Sequence, residues 1–188
     1  MKKIILLALM ISLLVLPGCA SQNTWEEELG TLREELSLAP SMAFSAEITT
    51  DLGSGEFSCT LFCERSERGI TATVLAPEML SGVRAHFGEG VGLSYDGVLL
   101  YVGEVPVGIS PASAMPIIVR ALESGFVQRL WREESGETEL LVLQIYEDDE
   151  TDVKLWLETD GFTPVFAEII YNGAAILRCA ISGFTLEN

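Results

Sequence analysis

The sequence predicts a mainly β protein of the α+β class. Its single curved antiparallel sheet of about 10–11 strands forms an incomplete β-barrel, with an N-terminal and a central helix in its mouth. From Met42 onward, apolar and polar residues alternate along most of the chain, which indicates half-buried strands. Asp-Gly or Asn-Gly pairs at 96–97, 160–161 and 172–173 indicate tight hairpin turns. Only two segments have helical spacing, and a sheet this long curls because it cannot stay flat.

Residues 1–18 are predicted to be an export signal. Lys2 and Lys3 precede an uncharged run from Ile4 to Leu16, and small residues follow. This run is shorter than the roughly 20 residues that a membrane-spanning helix needs. Leu16, Gly18 and Cys19 match the lipobox L-x-[GA]-C, so the segment resembles a bacterial lipoprotein signal. The resemblance implies that a diacylglyceryl group is attached to Cys19, which becomes the first residue of the mature chain.

The mature chain is predicted to be a short lipidated tether, residues 19–23, followed by one domain, residues 24–188. Removal of Lys2 and Lys3 with the signal leaves 9 basic and 28 acidic residues, a formal charge of −19. A chain this acidic is repelled by phosphate backbones, so nucleic acid is excluded as a partner. We expect membrane contact through the lipid, because two acyl chains hold a protein stably at a bilayer. The predicted location is the extracytoplasmic face of the cell membrane, where the protein is lipid-anchored.

The first predicted helix follows the tether at once. Thr24 and Glu27 have capping-box spacing, and Pro40 marks the end of the helix. Its apolar stripe consists of Trp25, Leu29, Leu32 and Leu36.

The second predicted helix lies in "GISPASAMPIIVRALESG" and ends at Gly125. Pro116 either kinks this helix or marks its true beginning. Its buried face is predicted to consist of Met115, Ile118, Val119 and Leu122.

Short strands fill the rest of the chain, about six before the central helix and five after it. Their inward-facing residues are predicted to be Phe57, Leu61, Val153, Leu155, Leu157, Leu177 and Ile181. Alternation fails from Leu140 to Ile145, which indicates a strand covered on both faces. That strand is covered by a helix on one face and another element on the other, or it is an edge for a partner.

The order of elements resembles the lipoprotein-carrier fold shared by the Lol carriers, their membrane-anchored receptors and related lipoproteins. The resemblance rests on the lipobox, the amphipathic first helix, "FSAEI" in the first strand, "PEMLSG" after the third strand and the central helix. The nearest likeness is to firmicute members such as the clostridial germination lipoprotein. It implies an apolar cavity for acyl chains or for a partner's hydrophobic element. In the periplasmic carrier a strand arginine near the cavity mouth helps to hold the cargo, and Arg84 is its nearest counterpart by order.

Three aromatic residues on predicted strands, Tyr101, Trp131 and Trp156, are candidates for lining this cavity. Packing in the core or at its rim explains them equally well. The candidate ligand-binding residues are therefore Arg84, Tyr101, Trp131 and Trp156.

No pattern typical of catalysis or metal binding is recognised, so we expect no enzymatic activity, no metal and no cofactor. His86 is interpreted as a strand-surface or groove residue. The acidic run from Glu147 to Asp152 lacks EF-hand spacing and is predicted to be a solvated hairpin tip. Cys59 and Cys63 lie about 13 Å apart on one face of a strand. Either could bond Cys179, but buried thiols are favoured.

Two functions fit these observations. In the first, the protein is a membrane-tethered lipoprotein that binds a hydrophobic ligand, a lipid or acyl chain, in the half-barrel cavity. In the second, it is a non-enzymatic adaptor that binds another cell-envelope protein, such as a wall or spore-cortex enzyme. An exposed apolar strand edge would favour the second function.

Overall fold

The computed structural model describes residues 22–51, 55–103 and 110–187. Cys19 and the predicted export signal, residues 1–18, lie outside the described residues. The elements, in chain order, are α1 (Gln22–Leu38), β1 (Ser41–Asp51), β2 (Glu56–Ser66), β3 (Gly69–Ala76), a 3₁₀ turn (Glu78–Leu80), β4 (Arg84–Phe87), β5 (Val91–Tyr95), β6 (Val98–Gly103), α2 (Pro111–Glu123), β7 (Phe126–Ser135), β8 (Thr138–Tyr146), β9 (Thr151–Glu158), β10 (Pro164–Tyr171) and β11 (Ala174–Glu187).

The strands form one 11-stranded antiparallel sheet that is not closed into a barrel, so the predicted fold class is confirmed. Their order is β6-β5-β4-β3-β2-β1-β11-β10-β9-β8-β7. Two meanders, β1–β6 and β7–β11, are joined side by side where β11 pairs with β1. The chain connects the two outer edges, β6 and β7, through α2. Both edge strands therefore have one side without a strand partner among the described residues.

The described residues belong to two units, one up to Leu32 and the other from Arg33 onward, so the boundary falls within the α1 sequence. In the first unit, α1 is described from Gln22, so Thr24 lies inside the helix and the predicted capping box is wrong. Leu29 and Leu32 are buried, as the stripe predicted. Within the described ranges, no helix has both the length and the apolar character needed to cross a membrane.

In the second unit, the core lies between α2 and one face of the sheet, which we call the inner face. α2 contacts β2, β3 and β9 on this face. It begins after Ser110, whose hydroxyl accepts a hydrogen bond from the Ser113 backbone N–H in a capping box. Pro116 lies inside the helix, so it does not mark the beginning. The predicted face of α2 is buried, and the predicted inward strand residues are buried except the half-exposed Phe57.

Two arginines bind the C-terminal carbonyls of the helices. Arg65 of β2 donates to the carbonyl oxygens of Leu36 and Ala39 at the end of α1, the latter at 2.6 Å. Arg33 of α1 donates to the carbonyl oxygen of Gly125, after α2, at 2.7 Å. A cation at this end of a helix satisfies free carbonyls and interacts favourably with the helix dipole. Burial lowers the pKa of Arg33 from its ordinary value.

Candidate functional site

The inner face of the sheet is buried at β4 but becomes exposed to solvent at β5. One row of cross-strand neighbours on this face runs Ala72, Ala85, Leu93 and Leu100. Their exposed fractions are 1%, 4%, 39% and 63%. The leucines continue the apolar row of the core, yet they face open space. The sheet thus presents an uncovered apolar surface at its β6 edge.

This surface borders a cavity of about 490 Å³, which we call the apolar groove. The volume lies within the range of about 300–1,000 Å³ that is usual for small-molecule sites. Tyr95 pairs with Val98 and Leu93 pairs with Leu100, so these four side chains share the inner face. The groove is lined by Val83, Leu93, Ser94, Tyr95, Asp96, Val98 and Leu100.

The β5–β6 hairpin is also apolar on its other side, which we call the outer face. Leu99 and Tyr101 lie there and are 67% and 76% exposed. Because β6 is an edge strand, both of its faces and one line of backbone groups are accessible. Exposed apolar patches of this kind mark binding surfaces for proteins, ligands or membranes.

Among the lining residues, polar side-chain groups belong to Tyr95, Asp96 and Ser94, and the Ser94 hydroxyl is hydrogen-bonded to His86 on the outer face. Asp96 and Gly97 form the turn of the β5–β6 hairpin, with φ angles of 48° and 77°. Positive φ at both central residues is the conformation that favours Asp-Gly and Asn-Gly pairs. The turn therefore places Asp96 at one end of the groove.

Arg84 and Tyr101 lie on the outer face, opposite the groove. Arg84 alternates with the buried Ala85 along β4 and pairs with Ser94. Tyr101 pairs with Gly92, and its ring lies against Gly90. Neither residue lines the groove, and their contact with a ligand stays a prediction.

A hydrogen-bonded chain of polar side chains crosses the outer face of β3, β4 and β5. His86 Nε2 lies 2.7 Å from Ser94 Oγ, and Nδ1 lies 3.3 Å from Thr71 Oγ1. The sequence does not reveal this arrangement, because the three residues meet only through strand register. The prediction of a strand-surface position for His86 is confirmed. A hydroxyl hydrogen-bonded to an imidazole also occurs in catalytic triads. Here the second partner of the imidazole is the Thr71 hydroxyl, where a triad has a carboxylate.

Trp131 and Trp156 come together on the outer face at the other end of the sheet. Both indole N–H groups donate to the Glu133 carboxylate, at 2.7 and 2.8 Å. Hydrogen bonds from Trp156 and then Trp131 lower the pKa of Glu133 below its ordinary value. The two tryptophans lie far from the groove in strand order, and their role in ligand binding stays a prediction.

The tryptophans explain why the β8 pattern is apolar on both faces. Val142 pairs with Trp131 on one side and Trp156 on the other, and it is completely buried. Trp156 also packs edge-on against Phe166, with ring centroids 5.2 Å apart. The second face of β8 is thus covered by aromatic side chains of neighbouring strands, not by a further helix or by an edge partner.

Cys59, Cys63 and Cys179 are buried free thiols, as the sequence analysis favoured. Cys59 and Cys179 both pair with Ile48, so a whole strand separates them. Burial raises the pKa of Cys63 and of Cys179 to about 12. The thiols are therefore uncharged packing residues.

Residues 147–150 of the acidic run form the tip of the β8–β9 hairpin, as predicted, whereas Thr151 and Asp152 belong to β9 and Thr151 is buried. The tip borders an open depression of about 330 Å³. Asp148 accepts a hydrogen bond from the Glu150 backbone N–H, and this bond is the main cause of its lowered pKa. In the part of the chain that the structure describes, no group of three or more His, Cys, Asp or Glu side chains could hold a metal ion.

The fold is similar to solved bacterial structures. An uncharacterized conserved protein from Thermus thermophilus has a TM-score of 0.53 and 11% sequence identity, covering 88% of this chain and 88% of that chain. A LolA superfamily protein from Nitrosomonas europaea has a TM-score of 0.49 and 13% sequence identity, covering 87% of this chain and 93% of that chain. The Mycobacterium tuberculosis lipoprotein LppX has a TM-score of 0.44 and 14% sequence identity, covering 87% of this chain and 96% of that chain. At 11% identity, the likeness to the Thermus thermophilus protein shows the fold alone. No protein-family profile and no curated protein sequence matches the chain.

Proposed function

We propose that this protein is a membrane-tethered lipoprotein that binds a hydrophobic ligand, a lipid or acyl chain, in the apolar groove. The observation that carries the proposal is the uncovered inner-face surface at β5 and β6. Leu93, Val98 and Leu100 are 39%, 62% and 63% exposed around a cavity of about 490 Å³. Covering apolar surface stabilises a complex by about 25 cal/mol per Å² before the costs of association.

The tether in this proposal is the lipid on Cys19. It is supported by the lipobox Leu16, Gly18 and Cys19 behind a short apolar run. A diacylglyceryl anchor would keep the protein at the extracytoplasmic face of the cell membrane. Metabolic labelling with palmitate tests it: the wild type should incorporate label and Cys19→Ala should not. Label retained by the variant would exclude this cysteine as the attachment site.

The ligand is tested with the mature domain made without Cys19. Native mass spectrometry should detect copurified lipid. Leu100→Glu, which places a charge in the groove, should abolish the signal of the lipid-bound protein. Leu99→Glu, on the outer face of the same strand, should retain that signal. A wild-type domain without bound lipid, or equal lipid on both variants, would refute the proposal.

The alternative function is a non-enzymatic adaptor for another cell-envelope protein, such as a wall or spore-cortex enzyme. The resemblance to firmicute members, including the clostridial germination lipoprotein, suggests this class of partner. The exposed edge strand β6, with Leu99 and Tyr101 on its outer face, supports the alternative. Crosslinking in the native cell should then capture a stoichiometric partner that Leu99→Ser and Tyr101→Ser lose. If neither change reduces capture, the β6 edge is not the binding surface.

A further inference from the structure

We propose that the groove accepts an acyl-chain amphiphile whose head group carries no negative charge. This inference rests on the proposed function and concerns the electrostatics of the same site. Its starting point is the lining of the groove, in which Asp96 is the one charged residue. A bound head group with a negative charge would share this end of the groove with a carboxylate.

The strands that form the groove supply no cation to offset Asp96. Val91–Tyr95 and Val98–Gly103 contain no charged residue. Arg84 is the nearest basic residue in the register, but it lies on the outer face. The segment before β4 flanks the groove, because Gly82 lies against the ring of Tyr95, and that segment contributes the acidic Glu78.

The direction of the bound chain follows from the same geometry. Leu93 and Leu100 lie three residues from the turn residues Asp96 and Gly97, about 10 Å along the strands. They continue the buried row of Ala85 towards the core, whereas Asp96 lies at the turn, next to solvent. An amphiphile therefore places its chain over the leucines and its head group near Asp96, because burying a charged head in the apolar row costs more.

The negative net charge of the whole chain also disfavours the binding of anionic head groups. With 28 acidic residues against 11 basic ones, the protein has a formal charge of −17. Such a field lowers the local concentration of anions and raises that of cations. The expected order of binding is cationic, then uncharged, then anionic head groups for one chain length.

The experiment uses the full chain in zwitterionic nanodiscs and three photoactivatable C16 probes. The probes are palmitate, monopalmitoylglycerol and a hexadecyl trimethylammonium salt, each with a diazirine in the chain. Labelling of the peptide that contains residues 91–103 is measured by mass spectrometry. We expect the uncharged and cationic probes to label it more than palmitate does, with a preference that shrinks as salt is raised.

Two matched variants locate the origin of the preference. Asp96→Asn removes the charge and keeps a residue that favours the turn conformation. Since two unit charges about 6 Å apart in water interact by an amount worth roughly threefold in affinity, this variant should raise palmitate labelling about threefold relative to the uncharged probe. Arg84→Gln, on the outer face, should leave the ratio unchanged.

The outcomes separate this inference from the proposed function. Absence of groove labelling by all three probes refutes the proposed function and the inference together. Equal labelling by all probes, or strongest labelling by palmitate, leaves the proposed function standing and overturns the inference. A preference that Asp96→Asn does not change also overturns it, because another group would then set the selectivity.

Discussion

Arg65 Nε of β2 lies 2.7 Å from Glu123 Oε1 of α2, and the pair joins the sheet to the end of the central helix. The N–H of Arg65 Nε does not point at the carboxylate well enough for a hydrogen bond, so this contact is an ion pair. The two Nη atoms donate hydrogen bonds to the carbonyl oxygens of Leu36 and Ala39 at the end of α1. The side chains are 14% and 27% exposed. One guanidinium thus holds β2, α1 and α2 at a single point.

Loss of Arg65 should strongly destabilise the protein. Arg65→Met leaves a half-buried carboxylate and two carbonyl groups without their partner, and we expect the free energy of unfolding to fall by roughly 3 kcal/mol. Urea unfolding measures the change. Arg178→Met, which removes an ion pair whose arginine is 63% exposed, should cost less than about 1 kcal/mol. Similar losses in both variants would contradict the central role of Arg65.

Protonation of Glu133 should change the fluorescence of the tryptophans that are hydrogen-bonded to it. Because indole hydrogen bonds lower the pKa of this carboxylate below 4.5, its stabilising contribution is present above that pH and is lost as the pH falls through the lower folded pKa. We expect an emission change at that step from Trp131 and Trp156. Glu133→Gln should remove the transition, and Glu134→Gln should retain it. An unchanged transition in Glu133→Gln would assign it to another group.

The three cysteines should be unreactive in the folded protein. At pH 8 we expect iodoacetamide to alkylate Cys59, Cys63 and Cys179 only after denaturation, as measured by mass spectrometry. Alkylation of any of the three in the native protein would show that its burial is incomplete.

Burial of the thiols should also make stability depend on alkaline pH. With the pKa of Cys63 and Cys179 raised from 9.0 to about 12, their contribution is complete below pH 9 and is lost as the pH rises towards 12. The free energy of unfolding should fall less steeply across this range in the double variant Cys63→Ala, Cys179→Ala. An identical slope would mean that other groups cause the loss.

The His86 chain should contribute to stability without catalysing hydrolysis. His86→Ala removes two hydrogen bonds that join three strands, and we expect a loss of about 1–2 kcal/mol in urea unfolding. Among the described residues, the imidazole is hydrogen-bonded to two hydroxyls and to no carboxylate, so p-nitrophenyl acetate should be hydrolysed at the buffer rate. Turnover by the wild type that both His86→Ala and Ser94→Ala abolish would instead establish an esterase.

Strands, turns and the central helix were predictable because their signals are local. Period-two alternation marked the strands, and the turns at 96–97 and 172–173 have positive φ at both residues, as Asp-Gly and Asn-Gly pairs favour. The predicted two-residue turn at 160–161 is wrong, because a longer loop joins Glu158 to Pro164 and its positive φ angles are at Gly161 and Phe162. The beginning of α1 was not predictable from Thr24 and Glu27, since a capping-box spacing also occurs inside helices.

The candidate site was predictable only in kind. Arg84, Tyr101, Trp131 and Trp156 were chosen by residue type, and the structure places all four on the outer face, in two separate groups. The residues that line the groove have no distinguishing chemistry in the sequence. Leu93 and Leu100 look like ordinary core leucines, because exposure depends on where α2 stops covering the sheet.

The sequence alone determined the type and order of the elements and the acidic character of the chain, since composition and short-range spacing encode them. Only the tertiary structure decided which apolar residues remain uncovered and which distant residues meet, such as Arg65 with Glu123 and His86 with Ser94. The physical reason is that strand register and helix packing are set by burial summed over the whole core, which no local window contains.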